Sequence, residues 1–255
     1  TDLFKGTPLE DEVVGKTFTR DLPYGYDTLM ENLLDPSHVP FAHHGLQGNR
    51  KDADKKPIGM EVQRGKAGEG MPSFTCDDHT MGMDRQSDGV MLSPFVAYYR
   101  GHFDKLEAPF KLNFMCVPAA PGESRLILVY TDKPGEGYRN KINKLPAWAV
   151  HMWGNRFLES DLAFLHYQER QLRSAPRSAT KWQNSYFMPA KSDQSIGAYR
   201  RWLEREGARC VTPEYATELQ VSPHRQALFD RYRGHTEHCV HCQRALESMA
   251  KWQKR

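Results

Sequence analysis

The sequence predicts an α+β chain, and two observations carry that reading. Residues 110–117 and 125–131 are dense in Val, Ile, Leu, Phe and Tyr, and a Pro- and Gly-containing segment over 118–124 joins them, which predicts an antiparallel hairpin with a longer loop. From Pro146 the period changes. Trp148, Met152, Phe157, Asp161, Leu165 and Gln168 recur near the helical repeat, so residues 147–172 are expected as one long helix.

Taken in order, residues 1–26 are polar and broken by Gly and Pro, and they read as a lead-in from something upstream. Asp27 is placed to cap a helix over residues 29–35. Residues 50–70 are rich in Lys, Asp and Gly and read as an exposed loop around one short strand at 59–63. Further strands are expected near 73–81 and 90–100. Beyond the long helix, shorter helices are expected over 191–206 and 222–233, the second opened by Ser222-Pro223, and a terminal helix over 243–254.

A chain of 255 residues suffices for one sizeable domain, or a domain with an appendage. A formal net charge of +3, with basic residues scattered apart from clusters at 170–177 and 251–255, is too mild for a nucleic-acid partner. No apolar run is longer than Leu126-Ile-Leu-Val-Tyr130, which has strand length and falls far short of the ~20 residues a membrane span needs. The first fifteen residues lack the order of a signal peptide, so the chain is expected to be processed or cropped. Five cysteines do not suggest a disulfide scaffold; Cys76, Cys116 and Cys210 are expected in the core or reduced.

The chemistry concentrates in residues 29–45, Leu-Met-Glu-Asn-Leu-Leu-Asp-Pro-Ser-His-Val-Pro-Phe-Ala-His-His-Gly. From Asn32 to His44, one carboxylate, an amide and three imidazoles sit amid Leu, Val and Phe. Two imidazoles and a carboxylate around open coordination positions are the ligand set of mononuclear non-haem Fe(II). His38 and His43 would supply the imidazoles. They lie roughly 140° apart on a regular helix, so an unbroken helix could not aim both at one ion. Pro40 between them is expected to kink or end the helix and let His43 swing back, while Asp35 would share a helical face with His38.

Asp161 is the exception on the long helix. It stands between Leu158 and Leu162, with Phe157 and Leu165 one turn away. A carboxylate on that apolar face costs several kcal/mol unless it is paired or metal-bound. The position asks for a cation. Glu159, on a more polar face, is the alternative.

Asn32-x-x-Asp35-x-x-His38-x-x-x-x-His43 resembles the mononuclear-iron motif of Rieske-type oxygenases, in the form used by the pheophorbide a oxygenase group, which includes chlorophyllide a oxygenase and the translocon-associated Rieske protein of the chloroplast envelope. The resemblance continues at Asp21-Leu-Pro-Tyr-Gly-Tyr26, Phe157-Leu-Glu-Ser-Asp-Leu162, Trp182-Gln-Asn-Ser-Tyr-Phe-Met-Pro-Ala-Lys-Ser-Asp193 and His238-Cys-Val-His-Cys242, so it spans most of the chain. It implies a helix-grip, START-like fold: a curved antiparallel sheet wrapped on the long C-terminal helix, with extra C-terminal helices. It also implies Fe(II) held by His38, His43 and Asp161, with Asn32 and Asp35 as accompanying catalytic residues. Asp35 would accept the far N–H of His38 and bridge to a histidine of a Rieske [2Fe–2S] cluster. His44 is the alternative to His43. The substrate implied is a chlorophyll-derived tetrapyrrole with O2, for which Phe95, Tyr98, Tyr99, Phe103, Phe114 and Trp153 are candidate lining residues. A ferredoxin-type donor, homo- or hetero-trimers and a chloroplast envelope or thylakoid location follow from the same resemblance.

The chain departs from the family in one respect. A Rieske cluster needs Cys-x-His followed by Cys-x-x-His, and Cys239-Val-His241 and Cys76-Asp-Asp-His79 occur in the wrong order and far apart. The cluster is therefore expected in cis on a cropped segment or in trans on a separate polypeptide. The chain then divides into a lead-in at 1–26, an iron domain at 27–190 and a helical extension at 191–255. Within that extension Cys239 and Cys242 read as a redox pair, linked to thioredoxin in the family, as zinc ligands with two histidines, or as plain surface thiols. Functions outside oxygenase chemistry are a non-catalytic pigment- or lipid-binding module of START type and a redox-regulatory subunit.

Overall fold

The computed structural model describes residues 13–63, 71–107, 109–132, 144–174, 182–206, 219 and 221–253. Cys210 and the distal parts of both basic clusters lie outside them. Strands β1 (Val13–Leu22), β2 (Gly59–Gln63), β3 (Ser73–Thr80), β4 (Met83–Ser93), β5 (Val96–Phe103), β6 (Phe110–Ala120) and β7 (Glu123–Asp132) form one antiparallel sheet in the order β1-β7-β6-β5-β4-β3-β2. The helices are α1 (Tyr26–Leu34), α2 (Val39–Ala42), α3 (Arg50–Ala53), α4 (Ala147–Ser174), α5 (Gln194–Glu206), α6 (Arg225–Leu228), α7 (Arg231–Gly234) and α8 (Val240–Gln253). The α+β class and the long helix are as the sequence predicts.

Turn chemistry explains most differences from the sequence reading. The expected strand at 90–100 is two strands, because Pro94-Phe95 closes a tight turn between Ser93 and Val96. Residues 118–124 are no long loop. Ladder pairing runs on to Ala120 opposite Glu123, and Gly122 at φ +73° makes the turn. Met81 at φ 56° and Gly82 at φ 70° close β3 onto β4. Val13–Leu22, expected as a polar lead-in, is instead the edge strand β1, registered against β7 from Val13 opposite Asp132 to Leu22 opposite Ser124. Its alternation was masked by Lys16 and the buried Arg20, which stand on the same face as Phe18 and Leu22.

Phe18, Phe74, Met91, Phe114, Cys116 and Leu126 project from the sheet into one core with Leu29, Met30 and Leu34 of α1, Leu158, Leu162 and Leu165 of α4, and Tyr199 of α5. Helix α1 is thereby trapped between sheet and helices. Polar braces fix its rotation. Gly25 N donates to Glu169 Oε2 at 2.9 Å, and a Cβ on Gly25 would lie 2.8 Å from Glu169 Oε1, so a side chain there would displace that carboxylate. Asp27 does not cap the helix, whose N-cap is Gly25; it pairs with Arg200 of α5 at 3.0 Å. Arg200 also holds the buried Glu31, whose Oε2 accepts from Tyr186 Oη at 3.0 Å.

The 222–233 segment also differs: its two short helical turns are α6 and α7, and α6 has His224 as N-cap rather than Ser222. Ser222 Oγ instead lies 2.8 Å from His166 Nε2. Buried His166 faces the Pro23 carbonyl through Nδ1 at 2.5 Å and takes the Arg170 Nε–H on Nε2 at 2.9 Å, so the ring is neutral.

Two outcomes follow. Arg200→Met leaves Asp27 and Glu31 without their cation and should cost about 3 kcal/mol or more in urea unfolding. Burial pushes the His166 pKa down from its ordinary value of 6.5. Below that value the unfolded chain therefore binds the proton more readily than the folded one. This contribution to stability is complete above the ordinary imidazole pKa and declines as pH falls through and below it. Urea midpoints at pH ~7.5 and ~5 should fall more for wild type than for His166→Gln, whose amide does not titrate in this range.

Candidate metal centre

The helix does not break at Pro40, as the sequence suggested, but at Asp35-Pro36. Pro36 drives Asp35 into an extended conformation (φ −96°, ψ 104°), and Asp35 becomes the C-cap of α1. Pro40 sits harmlessly in the first turn of α2. His38 and His43 are the caps at the two ends of that single turn, with His43 N donating to Val39 O at 3.1 Å. A short turn set at an angle to α1 thus aims both rings at the face of α4 that carries Asp161.

The three side chains converge. His38 Nε2 lies 3.2 Å from His43 Nε2, His43 Nε2 lies 3.2 Å from Asp161 Oδ2, and His38 Nε2 is 4.0 Å from the same oxygen. His43 and Asp161 are each 1% exposed. The hydrogen bonds behind the rings fix their tautomers. His38 Nδ1 meets the Asp35 carbonyl at 2.5 Å, and a carbonyl only accepts, so Nδ1 carries the proton. His43 Nδ1 lies 2.7 Å from Ser160 Oγ, whose own hydrogen goes to Phe157 O at 2.6 Å, so His43 Nδ1 is the donor there too.

Both Nε2 atoms therefore present lone pairs to each other and to a carboxylate in a largely buried pocket. Burial, as the largest influence, pushes the His38 pKa down, which keeps that ring neutral. Asp161 Oδ1 is buried with no hydrogen-bond partner among the described residues, and Oδ2 receives one N–H, from Asn32 Nδ2 at 3.2 Å. Three acceptors facing one point repel unless a cation stands between them. The residues fit a metal ion bound by two neutral imidazoles and one carboxylate.

The surrounding residues sort the sequence alternatives. Asn32 anchors the Asp161 carboxylate. Asp35 approaches differently from expectation: its backbone carbonyl, not its carboxylate, takes the His38 N–H, and its Oδ2 stays 3.8 Å from Nδ1. The Asp35 carboxylate accepts from Ser37 N at 2.7 Å and from Ser37 Oγ, because the Asp-Pro-Ser turn folds it back on itself. His44 points elsewhere and accepts from Arg50 N at 3.2 Å, and Glu159 pairs with Arg231 at 2.6 Å, so neither belongs to the cluster. Sequence reasoning missed Ser160 and the stack of His43 on Phe157 (centroids 3.7 Å apart), which continues from Phe157 to Trp153 at 5.2 Å. The adjacent Phe-x-x-Ser-Asp order was the only available signal. It also missed fully buried Tyr24, whose phenol is pushed well up by burial and then by the Asp161 charge. Of the aromatic residues suggested as a substrate lining, Phe103 and Phe114 are core, whereas Trp153 is 46% exposed.

Cys239 and Cys242 gather a second group. His151, from α4, joins them rather than a neighbouring histidine, together with His235. His151 Nδ1 lies 3.3 Å from Cys239 Sγ and 3.5 Å from Cys242 Sγ, and His235 Nε2 lies 3.3 Å from Cys242 Sγ. Burial lowers the His151 pKa to about 4, and burial raises that of Cys242 to about 12.

Residues 92–179 match the family model for pheophorbide a oxygenase, and residues 25–107 that for the vanillate O-demethylase oxygenase C-terminal domain. Protochlorophyllide-dependent translocon component 52 of Arabidopsis thaliana is 33% identical over 93% of this chain and 49% of its own length. Flavonoid 8-hydroxylase 2 of Ocimum basilicum is 32% identical over 91% of this chain and 46% of its own. Pheophorbide a oxygenase of Oryza sativa subsp. japonica is 29% identical over 93% and 47%. The chain thus spans about half the length of these relatives, all three of which carry the word chloroplastic in their names. Among solved structures, dicamba monooxygenase bound to dicamba superposes with a TM-score of 0.54 at 12% identity, over 76% of this chain and 57% of that one. The Pseudomonas putida CBB5 NdmA QL mutant with caffeine gives 0.50 at 14%, over 84% and 57%. These two matches speak for the fold alone.

Anaerobic dialysis against Fe(II) should load about one ion at this site, and Asp161→Ala should abolish that loading. Asn32→Ala should keep the site but weaken affinity by roughly 10–100-fold, as loss of an outer hydrogen bond does. Equal loading of wild type and Asp161→Ala would contradict the assignment.

Proposed function

The chain belongs to the pheophorbide a oxygenase group of Rieske-type oxygenases, and from that membership we propose that it is the iron-binding catalytic part of a terminal oxygenase that oxygenates a chlorophyll-derived tetrapyrrole. The observation that supports this best is the convergence of two imidazole lone pairs and a half-satisfied buried carboxylate on one point. Ferrous iron held by His38, His43 and Asp161 would supply the O2 chemistry of this class.

The chain's own residues do the positioning. Asn32 holds the Asp161 carboxylate, Ser160 and the Asp35 carbonyl hold the ring protons on Nδ1, and Phe157 lies flat on the His43 ring. Burial of His43, Asp161 and Leu162 keeps bulk water off that side. Asp35 is partly exposed beside His38, with one carboxylate oxygen turned toward the ring. It is the residue we assign to pass electrons from a Rieske [2Fe–2S] centre, carried in cis or in trans and fed by a ferredoxin-type donor. Trimeric assembly and a chloroplast location belong to the same reading. The full convergence of the ligand set favours an oxygenase over a non-catalytic START-type module or a redox-regulatory subunit.

With a Rieske donor supplied, isotopically labelled O2 should be incorporated into pheophorbide a or a related tetrapyrrole. A flavonoid arm is included because one relative is named a flavonoid 8-hydroxylase. Labelled flavonoid with unlabelled tetrapyrrole would overturn the substrate assignment; no label in any acceptor, with iron bound, would overturn the oxygenase. Asp35→Asn should retain its iron while turnover falls roughly 10–100-fold.

A further inference from the structure

We propose that His151, His235, Cys239 and Cys242 bind one zinc ion, a structural site that fastens the C-terminal helix α8 to β1 and α4. The proposal does not depend on the oxygenase reading.

The donor atoms are already arranged for it. All four lie within 4.8 Å of one another. In a tetrahedral site with Zn–S near 2.3 Å and Zn–N near 2.0 Å, neighbouring donors stand about 3.3–3.8 Å apart. The nitrogen–sulfur separations of 3.3, 3.5 and 3.3 Å fall in that range. Each imidazole is anchored from behind by a carbonyl of the same strand: His151 Nε2 meets Thr17 O at 2.9 Å and His235 Nδ1 meets Thr19 O at 2.6 Å. Those carbonyls fix the protons on the outer nitrogens and turn His151 Nδ1 and His235 Nε2, as lone pairs, toward the sulfurs. This is the outer-shell arrangement that zinc-binding histidines use.

The segment also needs such a clasp. From Phe229 to Gln253 the buried residues are His235 and Cys239, neither of which is aliphatic. Helix α8 buries none of its residues, and Leu246, Met249 and Trp252 are 50%, 47% and 77% exposed. A fourteen-residue helix with no buried face gains little from packing. Its first turn is nonetheless held against α4 at the point where the four donors meet. Binding would release the two thiol protons and leave two thiolates and two neutral imidazoles on the cation, with no change of oxidation state.

The geometry also distinguishes a single ion from a cluster. A [2Fe–2S] centre with two cysteines on one iron and two histidines on the other keeps its sulfurs and nitrogens at opposite ends. Here each nitrogen sits against a sulfur. Soft sulfur and imidazole donors in a closed four-coordinate set favour zinc.

Elemental analysis of the full chain, purified from zinc-supplemented cells and passed over a desalting column, should find about one zinc per chain. Zinc-edge X-ray absorption should find two sulfur and two nitrogen neighbours, and mercurial modification of the thiols should release the ion. Asp161→Ala should retain zinc while losing iron, which separates this site from the first. Cys242→Ser should lose zinc with the far-UV spectrum of the sheet and α4 preserved. Zinc at trace level in wild type, a Cys239–Cys242 disulfide that thioredoxin reduces in its place, or a first shell without sulfur would each overturn the proposal.

Discussion

The arrangement depends on one electrostatic constraint: three acceptors, the nitrogen of half-buried His38 and the nitrogen and oxygen of buried His43 and Asp161, must face one another at 3.2 to 4.0 Å. Left alone, that arrangement is repulsive, and in a largely buried environment the repulsion is poorly screened. It is maintained because each acceptor is held from behind. A carbonyl, a serine hydroxyl and an asparagine amide occupy the outer positions of His38, His43 and Asp161. None of the three can turn away without losing a hydrogen bond that is buried or partly buried.

The larger fold serves that convergence by locking two helices that are far apart in sequence. Helix α4 contributes Phe157, Ser160 and Asp161 within two turns, and α1 with the following turn contributes Asn32, the Asp35 carbonyl and both histidines. Glu169 at Gly25 and Arg200 across Asp27 and Glu31 set the relative position of the helices, and the sheet closes the apolar side through Phe114, Leu126 and Phe18. A shift of α1 by one turn would take Asn32 off Asp161. The same helix α4 presents His151 at its other end to the C-terminal thiols, so one rigid rod organises both clusters.

Much of this could be read from residues and spacing. Asp161 announced itself as an acid on an apolar helical face, and the two histidines as a pair that a regular helix would separate. What could not be read came from contacts that have no local signature. Pro36, not Pro40, breaks the helix, because the residue before a proline is forced extended and the chain had two prolines to choose from. β1 was hidden because Lys16 and buried Arg20 interrupt its inward face, which otherwise carries Phe18 and Leu22. His151 was invisible as a partner of Cys242 because ninety-one positions separate them and only the docking of α8 on α4 unites them. The hairpin turns at Pro94-Phe95 and Pro121-Gly122 were present as proline and glycine signals, but their tightness depends on ladder register.

The most direct measurement is electron paramagnetic resonance of the nitric oxide adduct of the Fe(II)-loaded chain. A mononuclear ferrous ion on two imidazoles and one carboxylate with open positions predicts the high-spin signal of a ferrous nitrosyl in wild type. The signal should be absent from Asp161→Ala with the fold intact. A wild-type spectrum without that signal, or one that Asp161→Ala leaves unchanged, would contradict the account.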